Sequence, residues 1–246
     1  MTEDEDLEQG FFRQHTSRRY NSELEDIHSR VLSMGGLVEQ QLVDAVTAIA
    51  ETRFELAEKV VTSDYRINAQ EVALDEECTE ILVRRQPTAS DLRLVLAVIK
   101  TITDLERIGD EAERIGRMAL HFLEMDRRNG PIEELSEMGE HVRGMLRGAL
   151  DAFARMDVEQ AVRVAQLDIQ ADSQYEVIIH RLMEQMMKTP EIIPRAMDVM
   201  WTARSLERIG DRSRNICEYV VYFVRGKNVR HTSYEQMAQE ATGDRH

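Results

Sequence analysis

Two pairs of carboxylates, Glu106 with Asp110 and Glu207 with Asp211, stand at the same spacing inside one hexapeptide, Leu-Glu-Arg-Ile-Gly-Asp, written twice. The copies lie 101 residues apart. On a helix, residues four apart share a face, with Cβ atoms about 5–6 Å from one another. Each pair therefore sets two negative charges side by side, a repulsion of about 0.2–0.5 kcal/mol even on an exposed helix. A hard cation reverses that sign, because carboxylate oxygens suit Mg²⁺, Ca²⁺ and Mn²⁺ and also serve iron. Two carboxylates do not fill a coordination shell, so further ligands have to come from a facing helix.

The sequence offers them in the preceding helical run. Val60 to Gln70 (VVTSDYRINAQ) aligns with Val164 to Gln174 (VAQLDIQADSQ), which sets Asp64 against Asp168 and Asn68 against Asp172. Asp168 and Asp172 form another i, i+4 acidic pair, which Glu176 extends. In the first copy Asn68 brings a carbonyl oxygen but no charge, while Glu71 and Asp75 continue the same face. A second reading competes: acids at this spacing are common on solvated faces, and Arg107, Arg114, Arg208, Arg212 and Arg214 stand near enough for ordinary ion pairs. Gly109 and Gly210 weigh towards function. A mid-helix glycine costs about 1 kcal/mol against alanine, so one in both copies calls for a close approach to the backbone, by a ligand or by a packed helix.

The elements that position these residues are helices. Only 12 Gly and 4 Pro occur, and no alternating β-branched run reads as a strand. Pro87, Pro131, Pro190 and Pro194 separate stretches with apolar residues at helical spacing. Six helices are predicted, over about 22–51, 54–85, 90–127, 132–155, 157–188 and 194–225. The first carries a stripe of Leu24, Ile27, Val31, Met34, Val38 and Leu42. Asp157 with Gln160 reads as the capping box of the fifth, and Gly226 as the residue that ends the sixth. The repeat divides them into an all-α architecture of two pseudo-symmetric three-helix bundles of antiparallel helices. The divisions are an acidic N-terminal segment over 1–19, a first bundle over 20–129, a second over 130–230, and a mobile tail over 231–246.

Composition excludes several functions. A net charge of −15 opposes nucleic-acid binding, which needs a basic face, and docking on an anionic membrane. It suits a cation or a basic protein partner. The acidic N-terminus lacks the basic region of a secretory signal, and the most apolar stretch is interrupted by Arg93 and Lys100, so a cytoplasmic protein with no membrane insertion is expected. Cys78 and Cys217 form no disulfide or zinc framework and make poor nucleophiles. A di-iron oxidase needs paired Glu-x-x-His motifs; the chain offers Glu25 to His28, on the wrong helix. His180, four after Glu176, is an additional possible ligand, and Trp201 reads as core. The residues alone leave three readings: a signalling adaptor with metal sites, a metal-dependent enzyme acting on a phosphorylated substrate, and a plain helical interaction module.

The paired LERIGD motifs, the stretch RRQPTASDLR (Arg84 to Arg93) and FVRGKNVRH (Phe223 to His231) together resemble the PhoU family, from about Phe11 to His231. The resemblance implies a cytoplasmic homodimer without enzymatic activity. It implies a negative regulator of the phosphate-starvation regulon that couples the phosphate ABC transporter, through its ATPase subunit, to a sensor histidine kinase, holding that kinase in its phosphatase-biased state when phosphate is ample. It also implies metal ions, iron, zinc, manganese or magnesium, held by Glu/Asp-x-x-x-Asp motifs. Those motifs match Glu106 with Asp110, Glu207 with Asp211, and Asp168 with Asp172, while the fourth reads Asp64 with Asn68.

Overall fold

The computed structural model describes residues 18–124 and 132–243. Nine α-helices run through the described residues: α1 Arg18–Ala50, α2 Phe54–Ser63, α3 Tyr65–Arg85, α4 Ala89–Glu124, α5 Ile132–Arg155, α6 Val158–Gln166, α7 Asp168–Lys188, α8 Ile193–Arg225 and α9 Tyr234–Thr242. The expected link between the halves, around Asn129 to Pro131, lies outside the described residues, as do residues 1–17 of the acidic N-terminal segment.

Apolar periodicity accounts for the core. Leu24, Ile27, Val31, Met34, Val38 and Leu42 are all buried, as the stripe on α1 predicts. In the first half α1 and α4 pack with the α2–α3 pair, and in the second α5 and α8 pack with the α6–α7 pair. The halves then join along two seams, α4 against α8 and α1 against α5. Among the described residues no helix is long and apolar enough to cross a membrane.

The helices predicted over 54–85 and 157–188 are each broken once. Neither break contains Pro or Gly. At the first, the Ile67 N–H bonds the Asp64 carbonyl at 2.9 Å; at the second, the Gln170 N–H bonds that of Leu167 at 3.0 Å. These i→i−3 bonds tighten one turn and re-aim the chain. Asp64 sits at the first break and Asp168 opens the helix after the second. Both carboxylates are turned inward, at 7% and 1% exposure. Periodicity runs through the breaks unchanged, which is why the sequence reads each pair as one helix.

The smaller expectations meet the structure with mixed outcomes. Asp157 caps α6 by accepting from the Gln160 N–H at 2.9 Å, but the Gln160 side chain turns to the Gly148 carbonyl and does not close the box. Gly226 ends α8 in the left-handed region, φ +73°, where glycine carries no Cβ penalty. The tail read as mobile contains α9, started by a complete Ser233–Gln236 capping box and anchored by buried Met237 and Ala241. Its two buried residues make too short a pattern to register as periodic. Trp201, read as core, is 51% exposed. Cys78 and Cys217 are free and buried; burial pushes the Cys78 thiol up to about 12, away from a reactive thiolate.

Candidate functional site

Each helix break delivers a carboxylate to the repeated hexapeptide. A Cβ placed on Gly109 would lie 3.2 Å from Asp64 Oδ1 and 3.1 Å from Ile67 Cδ1. One on Gly210 would lie 3.3 Å from Asp168 Oδ1 and 3.5 Å from the Ala171 Cβ. The two glycines are thus the openings through which a facing helix and its aspartate reach the backbone of α4 and α8. Gly109 immediately precedes Asp110, one turn beyond Glu106, so the structure brings Asp64, Glu106 and Asp110 together. In the second half Asp168 meets Glu207 and Asp211 in the same way, with Asp172 one turn along α7.

The electrostatics record this crowding. Burial raises the pKa of Glu106, and Asp110, Glu71 and Asp64 raise it further. Burial likewise raises Asp110, reinforced by Asp64, Glu113 and Glu111. Glu71 therefore belongs to the cluster, while Asp75 acts on Cys78, further along α3. In the second half burial raises Glu207 and Asp172, with Asp211 adding to both. The Glu207 Oε2 atom is buried without a hydrogen-bond partner, a costly state for a carboxylate oxygen.

Other groups differ between the halves. Asp64 is held by amides: Gln41 Nε2 donates to Oδ1 at 3.2 Å and Asn68 Nδ2 to Oδ2 at 3.0 Å. Asn68 thus meets the cluster with its N–H and not with its carbonyl. Asp168 is held by Arg214, whose second nitrogen lies 3.2 Å from Asp211, and by the Tyr234 hydroxyl of α9 at 3.3 Å. Arg204 pairs with Glu207 at 2.6 Å. Of the five arginines noted beside the hexapeptides, Arg214 pairs with candidate ligands; Arg114 and Arg208 turn to Glu111, and Arg212 to Asp104. His180 lies 2.8 Å from the Glu176 carbonyl of its own helix, on the exposed side.

Donor chemistry fits a hard cation, because the groups gathered are carboxylate oxygens on facing helices. Among the described residues, though, no three carboxylate, imidazole or thiolate groups converge as a finished ligand set. The acids are assembled on facing helices at a spacing that a bound ion would have to draw in.

A separate polar network, marked by no sequence motif, holds the α4–α8 seam. Asp104 accepts from the Tyr219 hydroxyl at 2.7 Å and pairs with Arg212 at 3.4 Å. Glu111 accepts from the Ser205 hydroxyl at 2.7 Å and pairs with Arg208 at 2.9 Å. The signal available in the sequence was positional: Asp104 and Ser205 are equivalent in the repeat, as are Glu111 and Arg212.

The repeat has a counterpart in known proteins. The family model described as the PhoU domain matches residues 31–119 and 135–220, one stretch in each half. The phosphate-specific transport system accessory protein PhoU of Edwardsiella tarda is 47% identical over 232 residues, 94% of this chain and 95% of that protein. Its namesake in Escherichia coli K12 is 45% identical over 93% of this chain and 95% of that one. Among solved structures, PhoU from Pseudomonas aeruginosa superposes with a TM-score of 0.81 at 47% identity, covering 85% of this chain and all 100% of that one. The phosphate transport system regulatory protein PhoU from Streptococcus pneumoniae gives 0.80 at 31%, covering 85% and 99%. With both halves matched by the family model and 85% of the chain sharing the fold, the chain belongs to the PhoU family.

Proposed function

We propose that this chain is an accessory and regulatory protein of phosphate-specific transport that represses the phosphate-starvation regulon. It works in the cytoplasm as a homodimer and without turnover of its own. It couples the phosphate ABC transporter, through the ATPase subunit, to the sensor histidine kinase of the phosphate two-component system. The observation that carries this reading is the agreement along nearly the whole chain with proteins named for phosphate-specific transport, 47% identity over 94% of its length in one case.

The acidic faces are its candidate metal sites, for divalent or iron-type ions. Glu106, Asp110 and Asp64 are the first-half ligands, beside Glu71 and with Asn68 able to offer its carbonyl if its amide turns. Glu207, Asp211, Asp168 and Asp172 are the second-half set, with Arg204 and Arg214 already among them. What an ion supplies is positive charge that offsets the carboxylate repulsion and fixes the face that meets a partner.

Deleting the gene tests the regulatory reading. Phosphate-scavenging genes should become active in phosphate-rich medium, and continued repression would overturn it. For the metal reading, elemental analysis of protein purified without chelator or affinity tag should show bound metal that falls in E106Q/D110N. Protein that carries none, or an unchanged content in the variant, would exclude this ligand assignment.

A further inference from the structure

We propose that Arg214 is a built-in counter-cation that occupies the charge position of a metal ion in the second half, so that this chain takes up metal through its first half alone. The inference rests on the metal reading of the acidic faces and narrows it.

A buried carboxylate has to be neutralised or fully hydrogen-bonded. In the second half the chain's own guanidinium groups supply the counter-charge through ion pairs, leaving Glu207 Oε2 as the acid oxygen without a hydrogen-bond partner. Arg214 contacts Asp168, lies 3.2 Å from Asp211, and reaches Glu218 at 3.7 Å. Guanidinium is permanently charged and carries five donors in a planar fork, which lets one group hold several carboxylates. Tyr234, on α9, lies on the same Asp168 oxygen and latches the arrangement from outside. Arg204 pairs with Glu207, so Asp168, Asp211 and Glu207 each have a guanidinium in contact, with Asp172 beside them under the influence of both.

The first half reverses the order of charge. The repeat equivalents of Arg214 and Glu218 are Glu113 and Arg117, themselves an ion pair. An acid therefore stands where the second half has its guanidinium, and Glu113 adds to the charges acting on Asp110. Asp64 is held by the neutral amides of Gln41 and Asn68. Among the described residues no Lys or Arg nitrogen lies within salt-bridge distance of Asp64, Glu71, Glu106 or Asp110. A cation entering that cluster displaces only neutral amide donors, from Gln41 and Asn68, and no guanidinium. In the second half it would have to expel Arg214 from an aspartate that is 1% exposed.

The test is Mn²⁺ uptake by the full chain, stripped by chelator and followed by equilibrium dialysis with elemental analysis. E106Q/D110N should abolish uptake, E207Q/D211N should leave it at the wild-type level, R214Q should double it, and R214K should not change it. Equal losses from the two carboxylate double variants would overturn the Arg214 assignment while leaving the metal reading intact. No uptake by the wild-type chain would overturn both. The comparison of the two double variants is made with Arg214 in place, so it decides the question even if R214Q fails to fold.

Discussion

The Ser205 hydroxyl donates to the Glu111 carboxylate at 2.7 Å across the α4–α8 seam, joining one half of the chain to the other. The same two positions, exchanged by the repeat, hold Asp104 and Arg212, which pair at 3.4 Å. The contacts run in opposite order along the two helices, so the seam is antiparallel. Glu111 also carries Arg208 and Arg114, which makes it the most heavily used acid of the seam.

Removing Glu111 should therefore cost more than removing its partner. E111A leaves a buried hydroxyl and two arginines without their acceptor, an expected loss of about 1–3 kcal/mol in urea unfolding. S205A should cost about 1 kcal/mol. A double-mutant cycle should show coupling, and strictly additive losses would mean that the bond contributes nothing.

Glu218 gives the fold a pH dependence. Burial pushes its carboxyl up to about 7 from an ordinary 4.5, further raised by Asp104 and Asp168 and opposed by Arg214 and Arg230. The folded state then holds a proton that the unfolded state releases at lower pH. Between about pH 4.5 and 7 the native form binds more protons, so this group's contribution to stability falls as pH rises. E218Q should flatten that slope and stabilise the protein at pH 8 relative to wild type. Denaturant midpoints across the range check it, and an unchanged slope would count against the buried acid.

Alanine should separate the two site glycines from ordinary helical ones. At Gly36 and Gly144 no atom lies within 4 Å of an added Cβ, so G36A and G144A should each stabilise by about 1 kcal/mol. At Gly109 and Gly210 the same change meets Asp64 at 3.2 Å and Asp168 at 3.3 Å. Both aspartates are tethered, so the propensity gain should be cancelled or reversed. Thermal melts of the four variants provide the comparison, and equal gains at all four would show the approach to be loose.

The C-terminal helix should be part of the fold and not an appendage. Ending the chain at Thr232 removes the burial of Met237 and Ala241 and the Tyr234 contact with Asp168. A loss of about 1.5–3 kcal/mol is expected from the methionine alone. An unchanged melting temperature would show that α9 only rests on the surface.

Helical content, the twofold repeat and the buried stripe of α1 were legible because each is written in the period of the sequence, as Leu24 to Leu42 illustrates. That Asp64 faces the first hexapeptide and Asp168 the second was legible from the repeat together with the three-helix bundles it implies. The breaks beside those aspartates were not, since local i→i−3 bonding leaves no mark on apolar spacing. Arg214 was visible only as one of five nearby arginines. Which of them turns inward depends on where α7 and α9 lie, and sequence separation carries no such information. Trp201 misled for the opposite reason: its size argues for the core, but the face of α8 on which it stands is left uncovered.

The exchanged residues of the α4–α8 seam also decide which halves recognise one another. Two first halves packed together by the same rule would set Asp104 against Glu111 twice, acid on acid, with no counter-charge from the facing positions. Two second halves would leave Arg212 facing Ser205 with no acid in either place. Only the mixed pairing gives both positions a complementary group. The duplicated halves are therefore no longer interchangeable: each carries, at two positions on one helix, a preference for the other and a bar against a copy of itself.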